Sequence, residues 1–254
     1  NTKVLYCESV SNPLLEVADI KGLAALAKKY SLTLVVDNTF SPLSISPIQL
    51  GADVVVHSLT KFINGSSDAV GGVVCGSQEF IDQLRSVIDG ACMLLGSTMD
   101  SLRASSILKN LRTLHIRMKQ HSYNASYLAN KFEADGVKTV YPGLESHPSH
   151  PLFTTMMNTE YGYGGMLTID VGSLEKANAL MEAMQQNNVG YLAVSLGFYK
   201  TLFSAPGTST SSEIPLEEQV EMGLSDGLIR FSIGLDNNIK RTYHTIKRCM
   251  KEVG

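Results

Sequence analysis

Tryptophan is absent, cysteine is scarce, and no apolar run approaches the roughly 18 residues that a membrane-spanning helix needs. The four cysteines lie far apart and form neither a C-x-x-C motif nor a Cys/His spacing. The sequence therefore indicates no metal site and no disulfide framework. Reduced thiols and a cytoplasmic location are the expectation.

Clustered basic residues are also lacking, since 21 Lys and Arg stand against 24 Asp and Glu and give a net charge of -3. Nucleic acids and anionic membrane surfaces are bound by grouped Lys and Arg. We therefore expect a small-molecule partner, with neither a nucleic acid nor a membrane. A hydrophobic content of 44% over 254 residues is enough for one large domain or two ordinary ones.

Two short apolar runs, residues 32–36 and 54–56, each end in polar side chains. Asp37 follows the first run, and Lys61 lies shortly after the second. Such runs are typical of strands in a parallel sheet with helices on both faces. Ligands bind at the carboxyl ends of these strands. The pattern predicts an α/β fold in which Asp37 and Lys61 face one crevice.

The remaining patterns predict a strand at 3–7, a helix at 19–30, a strand at 69–76 and a helix at 78–89. A long helix is predicted at 97–132 and is expected to bend or to bridge two domains. A domain boundary is placed near residue 115, which gives a large domain at 1–115 and a small α+β domain at 116–254. The predicted strands of the small domain are 138–141, 165–171, 193–196 and 228–233, and its helices are 151–158, 174–187 and 238–253.

Lys61 is a candidate nucleophile for a carbonyl, because burial at a strand end lowers the pKa of a lysine. Pyridoxal phosphate needs such a lysine, together with a carboxylate against its ring nitrogen and donors for its phosphate. Asp37 could supply the carboxylate, and Ser58 and Thr60 the donors. Each residue alone is more typical of a turn or a surface, but together they favour the cofactor. His57 is expected to pack or hydrogen-bond at the strand end.

A dinucleotide site is disfavoured, since no G-x-G-x-x-G follows a predicted strand. The run V-V-D-N-T-F at 35–40, followed by L-G-A-D-V-V-V-H-S-L-T-K-F-I-N-G at 50–65, instead resembles the Cys/Met-metabolism family of pyridoxal-phosphate enzymes. The resemblance extends over essentially the whole chain, through the segments 8–13, 111–118, 141–148, 163–167, 193–197 and 227–235.

The resemblance implies a fold-type I enzyme: an incomplete large domain, a small C-terminal domain, and a homotetramer of close dimers with shared active sites. It also implies that Lys61 bonds pyridoxal 5'-phosphate, that Asp37 pairs with its ring nitrogen and that Ser58 and Thr60 bind its phosphate. Asn12 is implied as a contact near the cofactor's 3′ oxygen and the substrate.

For the substrate carboxylate, the resemblance implies Arg230 as a clamp and Ser195 as a contact through its backbone. One departure is Ser211, which replaces a histidine that is usual in the family. The family's N-terminal arm, phosphate loop and ring-stacking tyrosine are expected to precede Asn1, so the chain is expected to be the later part of a longer polypeptide.

The activity implied is γ-elimination of methionine to methanethiol, ammonia and 2-oxobutyrate, as in the methionine γ-lyase branch of the family. Cleavage or synthesis of cystathionine, or γ-replacement on an acylated homoserine, stays open because the early steps are shared. An inactive or structural subunit is the alternative from another class.

Overall fold

The first half of the chain forms a sheet whose strands follow chain order. The computed structural model describes residues 1–208 and 214–254. Within these residues the sheet contains β1 (Val4–Glu8), β2 (Thr33–Asp37), β3 (Val54–Ser58) and β4 (Gly72–Cys75). The first three strands are parallel, and β4 runs antiparallel to β3. Parallel register therefore brings Asp37 beside Glu8 and Val56, at one edge of the sheet.

The predicted crossover helix is α1 (Ile20–Lys29), which begins at the Asp19 cap and buries Ile20 and Ala27. A 3₁₀ turn spans Pro47–Leu50. After β3 the chain forms an irregular turn, Leu59–Ile63, in which Lys61 has non-helical backbone angles. This turn carries Lys61 away from the end of β3.

Two predicted helices differ from the structure. The helix expected at 78–89 ends early as α2 (Gln78–Leu84), because the Ser86 hydroxyl donates to Asp89 in a turn. A short α3 (Ala91–Leu95) follows. The long helix expected at 97–132, with a bend or a bridge between domains, is two helices, α4 (Ser101–Leu111) and α5 (Leu114–Ala134). At the break the Thr113 hydroxyl donates to the Asn110 carbonyl, which competes with helical pairing.

The second sheet is formed, in the described part of the chain, by β5 (Lys138–Val140), β6 (Met166–Asp170), β7 (Tyr191–Leu192), β8 (Leu202–Ser204) and β9 (Leu228–Ser232). Their order in the sheet is β5-β6-β9-β8-β7. The central strand, β9, is buried along its whole length and pairs antiparallel with β6 and β8.

The helices of this part are α6 (His150–Met156), α7 (Leu174–Gln186), α8 (Leu216–Glu221) and α9 (Ile239–Val253). Helices α7 and α9 pack together and supply Leu180, Met184 and Ile246 to the core.

The strand predicted at 193–196 is wrong, and β8 was missed. Strand pairing stops at Leu192, and the following carbonyls of Val194 and Ser195 accept hydrogen bonds from Arg230 instead. Residues 193–196 therefore leave the sheet where two of their carbonyls accept hydrogen bonds from the buried guanidinium of Arg230.

Helix α5 contributes to both hydrophobic cores. Leu114 and Met118 lie in the core under the first sheet, whereas Leu128 and Phe132 lie in the core of the second. The division into residues 1–115 and 116–254 stays a prediction. None of the helices in the described ranges is both long and apolar enough to cross a membrane.

Candidate active site

A cavity of about 260 Å³ lies at the carboxyl ends of β1, β2 and β3. Parallel strands meet there, as expected for ligand sites in such sheets. The segment after β7 and the middle of β9 close the cavity from the other sheet. Its polar and charged lining includes Glu8, Asn12, Asp37, Ser58, Lys61 and Arg230.

Asp37 is fixed in place by two donors. The Thr39 backbone N–H donates to Oδ1 at 2.9 Å, and the Tyr6 hydroxyl donates to Oδ2 at 3.2 Å. Burial, with the negative charge of Asp37 second, raises the pKa of Tyr6 to about 12, so this donor keeps its proton. The carboxylate is thus oriented at the cavity wall, where it can accept from a protonated ring nitrogen.

The Lys61 amine donates to the Ser195 hydroxyl at 3.0 Å. Burial, followed by the positive charge of Arg230, lowers the pKa of Lys61. A lower pKa increases the neutral, nucleophilic fraction of the amine at neutral pH. Lys61 is therefore suited to bond a carbonyl carbon.

The two predicted phosphate ligands have different surroundings. Ser58 lines the cavity, and its backbone N–H donates to the Thr39 hydroxyl at 2.9 Å. The Thr60 hydroxyl accepts from the Gly71 N–H at 3.1 Å and lies 3.4 Å from the Gly71 carbonyl. Their roles toward a phosphate stay predictions.

Arg230 is 2% exposed, and its guanidinium reaches the cavity. It donates to Asn12 Oδ1 and to the Val194 carbonyl, each at 2.8 Å, and lies 3.4 Å from the Ser195 carbonyl. Burial lowers its pKa to about 10, so it is still a cation at neutral pH. Among the described residues no carboxylate pairs with it, which leaves its charge for an acidic ligand.

His57 lies on β3 next to this site, and its Nδ1 is buried without a hydrogen-bond partner in the described ranges. Burial lowers the pKa of His57, and the charge of Asp37 partly opposes this. Its expected role in packing stays a prediction. Ser211 lies outside the described residues.

Tyr6 and Thr39 are functional neighbours that the sequence did not single out. Both donate hydrogen bonds to Asp37. Thr39 donates through its backbone N–H, which nearly every residue type has, so the sequence does not reveal this contact. The register of β1 and β2 brings Tyr6 near Asp37, because Tyr6 pairs with Val35 and Val35 precedes Asp37 by two positions on β2. Its regular position on β1 was the available signal.

Pyridoxal phosphate fits this donor set. A lysine of lowered pKa, an oriented carboxylate and a cavity-lining hydroxyl meet at one cavity with an arginine that has no carboxylate partner in the described ranges. The arrangement defines the class of pyridoxal-phosphate enzymes that act on amino acids.

The model of the family "Cys/Met metabolism PLP-dependent enzyme" matches residues 1–241, and the chain belongs to that family. It is 46% identical to methionine gamma-lyase of Arabidopsis thaliana over 243 residues, 95% of this chain and 55% of the relative. It is 39% identical to cystathionine gamma-lyase of Bacillus subtilis over 241 residues, 93% of this chain and 61% of the relative.

Among solved structures, cystathionine gamma synthase from Xanthomonas oryzae pv. oryzae, in complex with aminoacrylate and cysteine, superposes with a TM-score of 0.90 at 32% identity. The match covers 99% of this chain and 63% of that one. The chain thus spans less than two thirds of the length of these relatives. The predicted family, its fold and its pyridoxal-phosphate cofactor are confirmed.

Proposed function

We propose that the protein is a pyridoxal-phosphate-dependent carbon–sulfur lyase that converts methionine by γ-elimination to methanethiol, ammonia and 2-oxobutyrate. The observation that carries the proposal is the meeting of Lys61, Asp37 and Arg230 at one cavity, where Arg230 has no carboxylate partner among the described residues. The 46% identity to a methionine gamma-lyase supports the choice of substrate.

The apolar part of the cavity favours an uncharged side chain. Val10, Phe40, Val194 and Leu196 contribute to its lining. A thioether such as that of methionine is compatible with these walls, whereas cystathionine would bring a second ammonium and a second carboxylate that need polar partners. This contrast supports methionine over cystathionine.

Each residue has a distinct task in the proposed reaction. Arg230 binds the substrate carboxylate, since a planar guanidinium suits a carboxylate in two-point contact. Asp37 keeps the ring nitrogen protonated, and the bound cofactor supplies the electron sink for the electron pair released at Cα. Lys61, whose amine would hold the cofactor, would remove the proton at Cα and move protons at Cβ. Ser195 orients the Lys61 amine through their hydrogen bond.

γ-Replacement is the second candidate, because a cystathionine gamma synthase has the same fold with a TM-score of 0.90. The two reactions share their early steps and differ in whether a thiol is lost or added. Methionine and an acylated homoserine with added thiol should therefore be supplied in parallel, with 2-oxobutyrate and thioether products quantified. Formation of 2-oxobutyrate from methionine is expected, and its absence would reject γ-elimination of methionine.

Lys61→Ala is expected to abolish turnover and the visible absorbance of the lysine-bound cofactor. Lys29→Ala, at an exposed position at the end of α1, is the matched control and should keep both. A wild-type protein with no such absorbance would favour the alternative of an inactive subunit.

We further propose a cytoplasmic homotetramer of close dimers. The free cysteines support a reducing compartment. Large apolar side chains that are strongly exposed support burial against other copies of the chain. They include Val87, Ile88, Leu94, Leu95 and Leu102.

A further inference from the structure

Helix α5 presents three polar side chains at helical spacing: Arg117, His121 and Asn124. Positions i, i+4 and i+7 share one face of a helix. These side chains contact two separate segments of the chain, the turn that carries Lys61 and the end of the strand that carries Arg230.

Arg117 holds the turn after Lys61. Its Nη1 donates to the Phe62 carbonyl at 2.5 Å and its Nη2 to the Ile63 carbonyl at 2.7 Å. The same guanidinium also donates to the Asn110 carbonyl and the Thr113 hydroxyl, each at 3.0 Å. It is thereby anchored at the α4–α5 break.

The guanidinium serves backbone carbonyls rather than an acid. Arg117 is half-buried, and in the described part of the chain it forms no ion pair within 4 Å. Gly65 leaves room for it, because a Cβ there would collide with its Nη1. A partly buried cation without a carboxylate costs free energy. That cost indicates that the turn after Lys61 needs the two hydrogen bonds that Arg117 donates to it.

The other two residues fasten the end of β9. His121 Nδ1 lies 2.6 Å from the Ile233 carbonyl, and Asn124 donates to the Gly234 carbonyl at 2.9 Å. The Phe62 ring packs edge-on against His121, with ring centroids 5.1 Å apart. One helix face thus fixes the segments carrying Lys61 and Arg230 relative to each other.

We propose that Arg117 is a positioning residue for Lys61, whose guanidinium holds the two carbonyls after Lys61 so that the amine stays directed into the cavity shared with Arg230. The inference rests on the proposed function, in which Lys61 and Arg230 act on one substrate. The backbone angles at Lys61 are not helical, and the turn is held both by the bond from the Gly65 N–H to the Lys61 carbonyl and by the donors of Arg117.

The test titrates Lys61 in the cofactor-free protein, by competitive acetylation and peptide mass spectrometry across pH, with the exposed Lys29 as an internal reference. The charged groups facing Lys61 are Glu8 from β1, Asp37 from β2 and Arg230 from β9. When Arg117 is removed, the amine is expected to move toward solvent and away from Arg230. The pKa of Lys61 should then rise, because burial and the charge of Arg230 no longer lower it to the same extent, and its neutral fraction at a given pH should fall.

Two variants separate the positioning of Lys61 from the effect of the charge of Arg117. Arg117→Met removes both the positive charge and the planar guanidinium, whereas Arg117→Lys keeps the charge but cannot hold two carbonyls at once. A raised Lys61 pKa in both variants supports the proposal. A shift in Arg117→Met alone shows a charge effect and overturns it, as does no shift in either folded variant. If Arg117→Met does not fold, Arg117→Lys decides.

Arg112→Met is the matched control, since Arg112 is exposed at the same helix break and should leave the titration unchanged. In the cofactor-loaded enzyme, Arg117→Lys should lower kcat roughly tenfold to a hundredfold. Its KM should stay near the wild-type value, because Arg230 still binds the carboxylate. If the protein proves to have no lyase activity, the titration still decides the role of Arg117.

Discussion

Gly197 shows how closely the segment after β7 approaches the turn that carries Lys61. Its φ is +76°, and a Cβ there would collide with the backbone of Lys61 and Phe62. Gly136 has a similar φ of +78°, but a Cβ there would meet nothing within 4 Å. Comparing substitutions at Gly136 and Gly197 therefore separates the free-energy cost of a positive φ from the cost of the steric collision of a Cβ with the Lys61 turn.

Gly136→Ala is expected to lose roughly 1–2 kcal/mol of unfolding free energy, the cost of an L-residue in the left-handed region. Gly197→Ala should lose clearly more and should also lose cofactor absorbance, because the Lys61 turn must move. Urea unfolding and cofactor titration of both variants provide the measurements. Equal losses of stability with normal cofactor binding would show that the turn accommodates the methyl group.

At the scale of single residues, Asp37 and Lys61 could be identified as site residues from the sequence because each follows an apolar strand. The hydrogen bond from Lys61 to the Ser195 hydroxyl could not be predicted, since 134 positions separate the two residues. Ser195 was expected to bind the substrate carboxylate through its backbone, and that role stays a prediction, since its carbonyl accepts from Arg230 at 3.4 Å. Contacts of this range depend on how two sheets meet.

At the scale of elements, helix α5 joins the two halves of the site. Its existence followed from helical spacing, but its start at Leu114 did not, because the break depends on Thr113 and on the anchoring of Arg117. Likewise, residues 193–196 were predicted to form a strand, but the carbonyls of Val194 and Ser195 accept from Arg230 and the segment does not pair as a strand. Tertiary hydrogen bonds overrode local propensity in both places.

His121 on α5 makes stability dependent on pH. The Ile233 carbonyl can only accept, so Nδ1 carries a proton. Nε2 is buried without a partner in the described part of the chain, which disfavours a second proton and keeps the ring neutral at neutral pH. Burial, opposed by this carbonyl and assisted by the charge of Arg117, lowers its pKa to about 4. An unfolded histidine titrates near 6.5. Between these values the unfolded chain binds a proton that the folded chain does not, so stability falls as pH falls.

The expected contribution of His121 is a loss of roughly 3 kcal/mol of unfolding free energy between about pH 6.5 and pH 4. His121→Gln should flatten the pH dependence over this window, whereas the exposed His115→Gln should leave it as in the wild type. Urea unfolding at several pH values provides the comparison. A His121→Gln curve parallel to that of the wild type would contradict the assignment.

At the scale of the whole molecule, the class of fold was predictable because βαβ units are local in sequence. The order of the second sheet was not, since β9 lies between β6 and β8 although more than 50 residues separate it from β6. Periodicity carries no information about which distant strands pair. The position of Arg230 opposite Lys61 follows from that pairing.

The proposed assembly can be disrupted at a strongly exposed apolar residue. Leu102, on α4, is 82% exposed. Leu102→Glu should convert the tetramer to smaller species, because a charge in an apolar interface is costly. Tyr30→Glu, at a residue 59% exposed beyond the end of α1, is the control. Size-exclusion chromatography with light scattering gives the masses, and an unchanged mass for Leu102→Glu would place the interface elsewhere.

The central place of β9 also sets an order of events during synthesis. Strands β1 to β4 can pair as soon as residue 75 has left the ribosome, but β6 and β8 must wait for residues 228–232 before the strand between them exists. Domains generally begin to fold from the N-terminal side as the chain emerges. Lys61 can therefore take its place after β3 well before Arg230 has emerged, and the cavity that both residues line can close only once residues 228–232 have paired.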